Sequence, residues 1–311
     1  MSMSILEKAT DARQTELWSV FMQKLGWTVE EIDGYYVFIR KIPLFNHALI
    51  KIQHSRGVPP LDKIEEIAKR NNALFVLIEP TSIGYTEDLY KKNGYMRSKM
   101  KTAYSANILI DLVKTDQEIL ESFSENARRN IKKAEKAGIT ISENLTDDNS
   151  YQHKVDMFYE LHKMVSVKKK FYIHPYSEFT AKAEAFKDNG FFLFAFQKGE
   201  QKPVGAIWFG EKDKTVYYIN TGMNEEGYAK NANYLLLWEG IKIAKQKGLE
   251  VLDFEGIFDE RNKQENKKWK GFTEFKKKFH GETIYYPPSW IKIYNLPYKI
   301  LYICVSSILR S

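Results

Sequence analysis

The sequence contains a single cysteine, Cys304, so no disulfide can form within the chain and a reducing compartment is expected. It contains no run of about 18 apolar residues, which argues against an ordinary membrane-spanning helix. The apolar tail 300–309 is too short to span a bilayer, and we expect a docked helix or strand there. The N-terminus lacks a basic start followed by an apolar stretch. We therefore expect no secretory signal and a cytoplasmic protein.

Sequence motifs of several enzyme classes are also missing. The chain has no G-x-S-x-G nucleophile elbow, no P-loop and no H-E-x-x-H zinc motif. Its six histidines lack the spacing of a zinc site, so we expect neither a metal nor a bound cofactor. A serine hydrolase, a P-loop enzyme and a zinc protease are thereby disfavoured.

The composition is that of a folded protein with more than one domain. The chain has 311 residues, of which 43% are hydrophobic and 14% aromatic, enough to fill two cores. There are 47 Lys and Arg against 40 Asp and Glu, a net charge of +7. This excess suits a polyanionic partner but does not require one, since surface lysines are common.

The order of predicted elements repeats along the chain. Segment 66–80 aligns without gaps to 242–256, and the predicted change from helix to strand falls at the same place in both. Each half contains a helix, three antiparallel strands, a helix and a strand, an order typical of acetyltransferase-like domains. The sequence thus predicts an α/β (α+β) fold of two tandem GNAT-like domains, with mixed sheets flanked by helices. We expect residues 1–145 and 285–311 in the first domain and 146–284 in the second.

A basic helix is the first candidate for a functional site. Thr115 and Glu118 form a capping box, which predicts a helix running to about Ala137. Its basic residues lie at helical spacing on adjoining faces: Arg128, Arg129, Lys132, Lys133 and Lys136. Such a face can collect the phosphates of a nucleic acid, although a solvated surface helix gives the same pattern.

Segment 267–281 is the second candidate. Its six lysines alternate irregularly with four aromatic residues: Trp269, Phe272, Phe275 and Phe279. This mixture is typical of an aromatic-lined basic groove, while an ordinary strand would bury the aromatics and expose the lysines. If the segment is extended, Lys276 and Lys278 share a face opposite Lys277.

The third candidate lies at the end of the predicted strand Val251–Phe254. Ligands of open sheets bind beyond the carboxyl ends of strands, so Asp253 could orient an amine or a neighbouring lysine. For Glu255 we favour a local cap. Alternation in the strand VYYIN places Tyr218 and Asn220 on one face, which is either core or the lining of a pocket.

With these pieces placed, the chain resembles the FemABX family of non-ribosomal peptidyltransferases. The family builds the interpeptide bridges of bacterial peptidoglycan from aminoacyl-tRNA. The resemblance covers nearly the whole chain and is clearest in four segments: NARRNIKKAEKAGITI (126–141), LLLWEGIKIAKQKGLEVLDFEGI (235–257), GFTEFKKKFHGE (271–282) and RKIPLFNHALIKIQHSRG (40–57). The coiled-coil arm of some members has no counterpart, so the chain is most similar to the short, FemX-like type.

The resemblance assigns roles to individual residues. The lysine of the family's F-K pair falls on Lys276 and implies a catalytic group that stabilises charge at the reacting carbonyl and ribose oxygens. Phe275, before it, and Arg56, in the turn matching the family's P-R-G, are implied in substrate binding. The basic residues Arg128, Arg129, Lys132, Lys133 and Lys277 are expected to contact tRNA.

The chain departs from the family pattern on the acceptor side. The acceptor-binding arginine falls on His174 and a pocket tyrosine on Asn220. The double glycine of D-x-G-G is Glu255-Gly256, and His280 replaces the first of another glycine pair. His174, Asn220 and Glu255-Gly256 concern the acceptor side, so the acceptor itself stays open, and His174, Tyr218, Asn220 and Asp253 remain expected substrate-binding residues.

The resemblance implies an aminoacyltransferase that moves an amino acid from aminoacyl-tRNA to an amine of a nucleotide- or lipid-linked peptidoglycan precursor. It is expected to be a monomer, with peripheral contact to the inner membrane face. One alternative is an acyl-CoA-dependent GNAT enzyme acting on a cell-surface glycan or another amine. Segment 228–236 has no glycine to cradle pyrophosphate, and Pro59-Pro60 removes backbone donors at the equivalent place, which disfavours it. The other alternative is a non-catalytic binder of tRNA or glycan.

Overall fold

The computed structural model describes residues 3–169, 172–262 and 267–308, and the chain divides into two compact units. The N-terminal unit comprises Asp11–Ser105 and the residues from Tyr285 onward. The central unit comprises the residues up to Thr10 and Ala106–Ile284.

The elements follow in chain order. Those before residue 100 are α1 (Ile5–Lys8), a 3₁₀ turn (Ala12–Gln14), α2 (Glu16–Lys24), β1 (Thr28–Ile32), β2 (Tyr35–Lys41), β3 (Ala48–Ser55), α3 (Leu61–Arg70), β4 (Ala73–Pro80), α4 (Glu87–Lys92) and β5 (Met96–Arg97). The next are β6 (Ala106–Asp111), α5 (Asp116–Ser122), α6 (Glu125–Lys136), β7 (Ile139–Ser142), α7 (Tyr151–Lys169), α8 (Tyr176–Ala185), β8 (Gly190–Gln197), β9 (Pro203–Lys212) and β10 (Thr215–Met223). The last are α9 (Glu225–Ala229), α10 (Ala232–Gln246), β11 (Val251–Gly256), a 3₁₀ turn (Lys267–Trp269), α11 (Lys270–Lys277), β12 (Glu282–Tyr285), β13 (Trp290–Ile293) and α12 (Leu296–Ile308).

Each unit is built on a mixed sheet. The N-terminal unit has the strand order β1-β2-β3-β4-β13-β5, and the central unit has β12-β6-β11-β10-β9-β8-β7. In the first sheet β1, β2 and β3 are antiparallel, and β4, after α3, is parallel to β3. In the second, β8, β9 and β10 are antiparallel, and β11, after α10, is parallel to β10. The predicted tandem GNAT-like fold is confirmed, because the same supersecondary order occurs in both units.

Apolar faces of the crossover helices fill the two cores. In α3 the buried residues are Ile64, Ile67 and Ala68, at the spacing of one helix face, and they pack on the strands of the first sheet. In the central unit α10 is buried along most of its length and packs against α6 and the second sheet. These helices pack against the middle strands of their sheets, and β11 is one of those strands.

A buried ion pair lies at the start of the N-terminal unit. His54 Nδ1 is 2.6 Å from Asp11 Oδ2, and its Nε2 is 2.9 Å from the carbonyl oxygen of Tyr104. Two acceptors require both ring nitrogens to donate, so the imidazolium form fits the geometry. Although burial opposes charge on both groups, their mutual attraction prevails: the pKa of His54 is raised and that of Asp11 is lowered.

The predicted domain boundary at residue 145 is wrong for this division of the chain. Segment 106–145 belongs to the central unit because β6 pairs with β11 in the seven-stranded sheet. Sequence order suggested otherwise, since β6 directly follows the strands of the N-terminal unit. The pairing partner of β6 lies more than a hundred residues further along the chain.

Two predicted elements have different bounds in the structure. The capping box of Thr115 and Glu118 is present, but it begins the short helix α5, which ends at Ser122. The hydroxyl of Ser124 accepts a hydrogen bond from the backbone N–H of Ala127 and so begins a second helix, α6. The apolar tail forms α12, while Leu309 lies outside the described residues. No helix within the described ranges is long and apolar enough to cross a membrane.

Candidate functional site

The carboxyl end of β11 contains a β-bulge. Asp253 pairs with Leu109 of β6 and Gly256 pairs with Asn107, so two residues of β11 face one residue of its partner. Within the bulge Glu255 has a φ of +60°, the left-handed region. The bulge directs the backbone carbonyls of Phe254 and Gly256 toward Lys276 of the following helix.

Both non-glycine residues that replace family glycines near this site have left-handed backbones. Glu255 has a φ of +60° and His280 a φ of +49°. A residue with a Cβ pays roughly 1–2 kcal/mol for this conformation, which explains why glycine suits both positions. Gly281 is required for another reason, since a Cβ there would lie 2.5 Å from Ile108.

The lysine-rich segment is a helix, so the predicted strand alternation is wrong. α11 spans Lys270–Lys277, and a helix rotates successive side chains by about 100°. Lys276 therefore points inward, with only 8% of its surface exposed, while Lys277 lies in an ion pair with Glu260 at the surface. The spacing of Phe272, Phe275 and Phe279 at i, i+3 and i+7 was the available helical signal.

The Lys276 ammonium is held by the bulge. Its Nζ donates to the carbonyl oxygens of Phe254 and Gly256, at 2.8 Å each, and lies 5.7 Å from the ring centroid of Tyr218. An ammonium has three N–H donors. Among the residues that the structure describes, none accepts a hydrogen bond from the third donor. The geometry thus fixes the ammonium in place and leaves one donor for an incoming oxygen.

Burial shifts the pKa of Lys276. Desolvation lowers the pKa of Lys276 to about 8, and the carboxylates of Glu255 and Asp253 oppose this effect in part. At neutral pH the side chain is therefore mostly an ammonium, close to its titration point. A buried lysine with a lowered pKa at the end of a strand is typical of functional sites.

Asp253 and Asn107 support the bulge. Asp253 is 2% exposed and accepts hydrogen bonds from the Asn107 side-chain amide, at 2.9 Å, and from the backbone N–H of Glu255. The carboxylate therefore ties β6 to the bulge that holds Lys276. Asn107 was missed in the sequence, although a fully buried amide within the apolar strand ANILI was a usable signal.

Tyr218 and Asn220 lie on opposite faces of the sheet, so the prediction that they share a face is wrong. Tyr218 pairs with Phe209 and Asn220 with Trp208, which makes Ile219 the extra residue of a second bulge. Tyr218 packs near Phe254, on the face of Lys276. Asn220 is on the other face and is not brought together with Lys276.

The other predicted substrate-binding residues have separate surroundings. His174 is exposed, and its Nδ1 lies 2.9 Å from Glu178 Oε1. Phe275 packs with its ring centroid 5.1 Å from that of Tyr234, in the core between α11 and α10. Arg56 is exposed beyond the end of β3 in the N-terminal unit.

The predicted basic face is present on α6. The helix buries the side containing Ala127 and Ile131, which leaves Arg129, Lys132 and Lys133 exposed. For these three cations no carboxylate partner is recorded among the described residues. Arg128 differs, because its guanidinium donates to the carbonyl oxygens of Glu121 and Phe123, at 2.6 Å each. Its role is at least partly structural.

The described residues contain no cluster of three or more His, Cys, Asp or Glu side chains arranged to hold a metal ion. The groups at the bulge are the Lys276 ammonium, the backbone carbonyls that hold it, and the carboxylates of Asp253 and Glu255, so the free N–H of the ammonium is the group that can meet a substrate oxygen. This arrangement is suited to stabilising negative charge on a substrate oxygen.

Comparisons with known proteins agree with the fold. A family model described as an acetyltransferase (GNAT) domain matches residues 121–271, and no curated protein matches the sequence. The structure of FemX is similar, with a TM-score of 0.78 and 17% identity over 97% of this chain and 98% of that one. A conserved protein of unknown function from Bacteroides thetaiotaomicron gives a TM-score of 0.61 and 13% identity, over 92% and 93% of the two chains.

A third similar structure is L-PGS from Bacillus licheniformis, with a TM-score of 0.55 and 11% identity over 91% of this chain and 90% of that one. Identities this low establish the fold rather than the substrate. The resemblance to short FemX-like proteins is confirmed at that level. The chain therefore has a FemX-like fold of two tandem GNAT domains.

Proposed function

We propose that the protein is an aminoacyltransferase that moves an amino acid from aminoacyl-tRNA to an amine of a peptidoglycan precursor, with Lys276 as its catalytic group. The observation that carries the proposal is the Lys276 ammonium, buried and fixed by two carbonyl oxygens, with one N–H donor left for substrate. The FemX-like fold supports the choice of reaction class.

The chemistry needs little covalent help from the protein. The ester of aminoacyl-tRNA is already activated, so a neutral amine attacks its carbonyl carbon and forms the new C–N bond. The tetrahedral intermediate carries an oxyanion, which the third N–H of Lys276 stabilises. The C–O bond to the ribose then breaks, and the proton lost by the amine ends on the ribose oxygen.

Fixing the ammonium in advance is the main contribution of the fold. A donor that is already oriented and shielded from water loses no energy in reorganising when charge develops, and one such donor typically contributes about 100- to 1,000-fold in rate. The bulge carbonyls of Phe254 and Gly256 orient the Lys276 ammonium. Aligning the two substrates supplies much of the remaining acceleration.

For tRNA binding, we assign the exposed basic face of α6. Arg129, Lys132 and Lys133 lack recorded carboxylate partners and are available to phosphates, whereas Arg128 and Lys277 already have protein partners. We expect Arg128 and Lys277 to contribute less than the other three. These three cations thus form a solvent-facing basic surface on α6.

His174 is the residue that we propose to contact the acceptor. His174, exposed next to Glu178, stands where the family has an arginine, whereas Asn220 lies on the other face of the sheet from Lys276. An imidazole is a weaker ligand for a phosphate or carboxylate than an arginine. We therefore expect an acceptor that presents less negative charge to His174 than the peptidoglycan precursors of the family do.

Incubation with a panel of charged tRNAs and muropeptide precursors, followed by mass spectrometry, tests the function. The expected product gains the mass of one amino-acid residue, and ribonuclease treatment of the tRNA abolishes it. A parallel arm with acyl-CoA donors addresses the rival enzyme. Acyl transfer from CoA without tRNA would contradict the proposal, as would tight tRNA binding with no product from any donor and acceptor.

A further inference from the structure

We propose that the N-terminal unit docks on the surface of an anionic phospholipid bilayer, through α12 and the loop between β2 and β3. The first observation is the outer face of α12. Four of its aliphatic side chains are exposed: Leu296 by 66%, Ile300 by 56%, Leu301 by 59% and Ile303 by 49%. An exposed apolar helix face of this size is unusual for a surface that stays in water.

The inner side of α12 fixes the helix on the unit. The ring of Tyr298 stacks on that of Phe75, with centroids 5.9 Å apart. The hydroxyl of Tyr302 lies 2.9 Å from Ser98 Oγ and accepts a hydrogen bond from the backbone N–H of Lys99. The aromatic side chains are therefore used for docking, and the aliphatic ones remain on the opposite side.

A second apolar projection lies at the tip of the β2–β3 loop. Leu44 is fully exposed and has a φ of +67°, and Phe45 is 67% exposed. The loop is joined to the body of the unit by hydrogen bonds from His47 and Ala48 to the carbonyl oxygen of Asn72. Its position is thus set by the end of the sheet at which β3 and β4 begin.

The same end of the sheet carries the start of α12. β13 is antiparallel to β4, and Ile293 pairs with Phe75, near the beginning of β4. The backbone N–H of Tyr294 donates to the carbonyl oxygen of Leu74, and α12 begins two residues later. Both apolar projections consequently arise from one end of one sheet, within a single unit.

Charge identifies the partner. The segments that carry these projections or contact them, 34–61, 89–110 and 285–308, contain no Asp or Glu, whereas they contain several Lys and Arg residues. Arg40, Lys41, Lys99 and Lys299 are exposed beside the loop and the helix. Aliphatic side chains flanked by cations are the pattern of segments that lie in the interface of an anionic membrane.

A second copy of the chain fits this surface less well. A two-fold contact through α12 would place the same patch against itself, and its lysines would face their own copies. Like charges brought together across a contact oppose association. The bilayer satisfies both features, because acyl chains take up the aliphatic groups and anionic headgroups pair with the lysines.

Sedimentation of the full chain with sucrose-loaded vesicles tests the inference. Vesicles of phosphatidylcholine containing phosphatidylglycerol should bind the protein at least tenfold more strongly than phosphatidylcholine alone, and added salt should weaken the binding. Ile300→Ser with Ile303→Ser should reduce partitioning by about tenfold or more, since each side chain buries apolar surface in the interface. Val113→Ser, at an exposed apolar residue of the central unit, serves as the matched control and should bind as the unchanged chain does.

Leu44→Ser with Phe45→Ser gives an independent variant that should also weaken binding about tenfold, and both side chains project from the loop outside the core. Failure of the unchanged chain to pellet with the anionic vesicles would overturn the inference. Equal binding of all variants to both types of vesicle would overturn it as well. A dimer in analytical ultracentrifugation that Ile300→Ser dissociates, without vesicle binding, would identify the face as a self-contact instead.

Discussion

Replacing Lys276 with methionine separates a catalytic lysine from a structural one. The substitution keeps an unbranched side chain in the pocket but removes the ammonium from the carbonyl oxygens of Phe254 and Gly256. Each buried carbonyl that loses its donor costs about 1–3 kcal/mol, so the two together cost about 2–6 kcal/mol. Against this, the pKa of Lys276 falls from 10.5 to about 8, so the fold holds the charge less favourably than water by roughly 3 kcal/mol. The two effects largely offset each other, and Lys276→Met should fold.

Its activity should nevertheless fall by about 100-fold or more, the usual result of losing one oxyanion donor. Lys277→Met is the matched control, because Lys277 is the next residue of α11 and pairs with Glu260 at the surface. An exposed ion pair contributes about 0–1 kcal/mol, so Lys277→Met should leave turnover nearly unchanged. The assay is single-turnover transfer from labelled aminoacyl-tRNA, with thermal melting to verify that each variant is folded.

The pH dependence gives a second readout. The proposed role requires the protonated ammonium, and its pKa is about 8. The contribution of Lys276 to turnover should therefore be present below pH 8 and be lost as the pH rises through that value. The residual activity of Lys276→Met should lack this falling limb. Equal, mild losses in Lys276→Met and Lys277→Met, with unchanged pH profiles, would refute the catalytic assignment.

Three further outcomes are expected. Glu255→Gly removes the strain of a left-handed backbone and should stabilise the fold by about 1 kcal/mol in thermal melts, so a destabilised variant would contradict this reasoning. Loss of the Glu255 carboxylate should also lower the pKa of Lys276, and the fall of turnover at high pH should then begin at lower pH. Because the pKa of His54 is raised and that of Asp11 is lowered, their ion pair should stabilise the fold fully between pH 3.8 and pH 6.5, the ordinary pKa values of the two groups. This stabilisation should be lost as the pH rises through the folded pKa of His54 or falls through the folded pKa of Asp11. The Asp11→Asn variant should be less stable by about 3–5 kcal/mol, and its free energy of unfolding should lack this dependence on pH. The affinity for tRNA should fall by roughly one log unit per phosphate contact for each tenfold rise in salt concentration. Charge reversal at Lys132 and Lys133 of α6 should make this dependence on salt less steep, and full binding by that variant would exclude α6 as the tRNA-binding surface.

Local patterns in the sequence were sufficient for the fold class. The apolar spacing of α3 and α10, and the ungapped match between 66–80 and 242–256, predicted the repeated order of elements that both sheets show. These signals are local because a helix or strand repeats its contacts every few residues. Lys276 was selected through the F-K motif, not through periodicity, and its burial agrees with a functional position.

Only the tertiary structure decided how the site is assembled. The bulges at Ile219 and Glu255, which place Asn220 away from Tyr218 and turn two carbonyls toward Lys276, depend on the register with neighbouring strands. The assignment of β6 to the central unit and the contact of Asn107 with Asp253 join residues more than a hundred positions apart. One extra residue in a strand reverses every side chain beyond it, and that event depends on a partner strand which a local pattern does not contain.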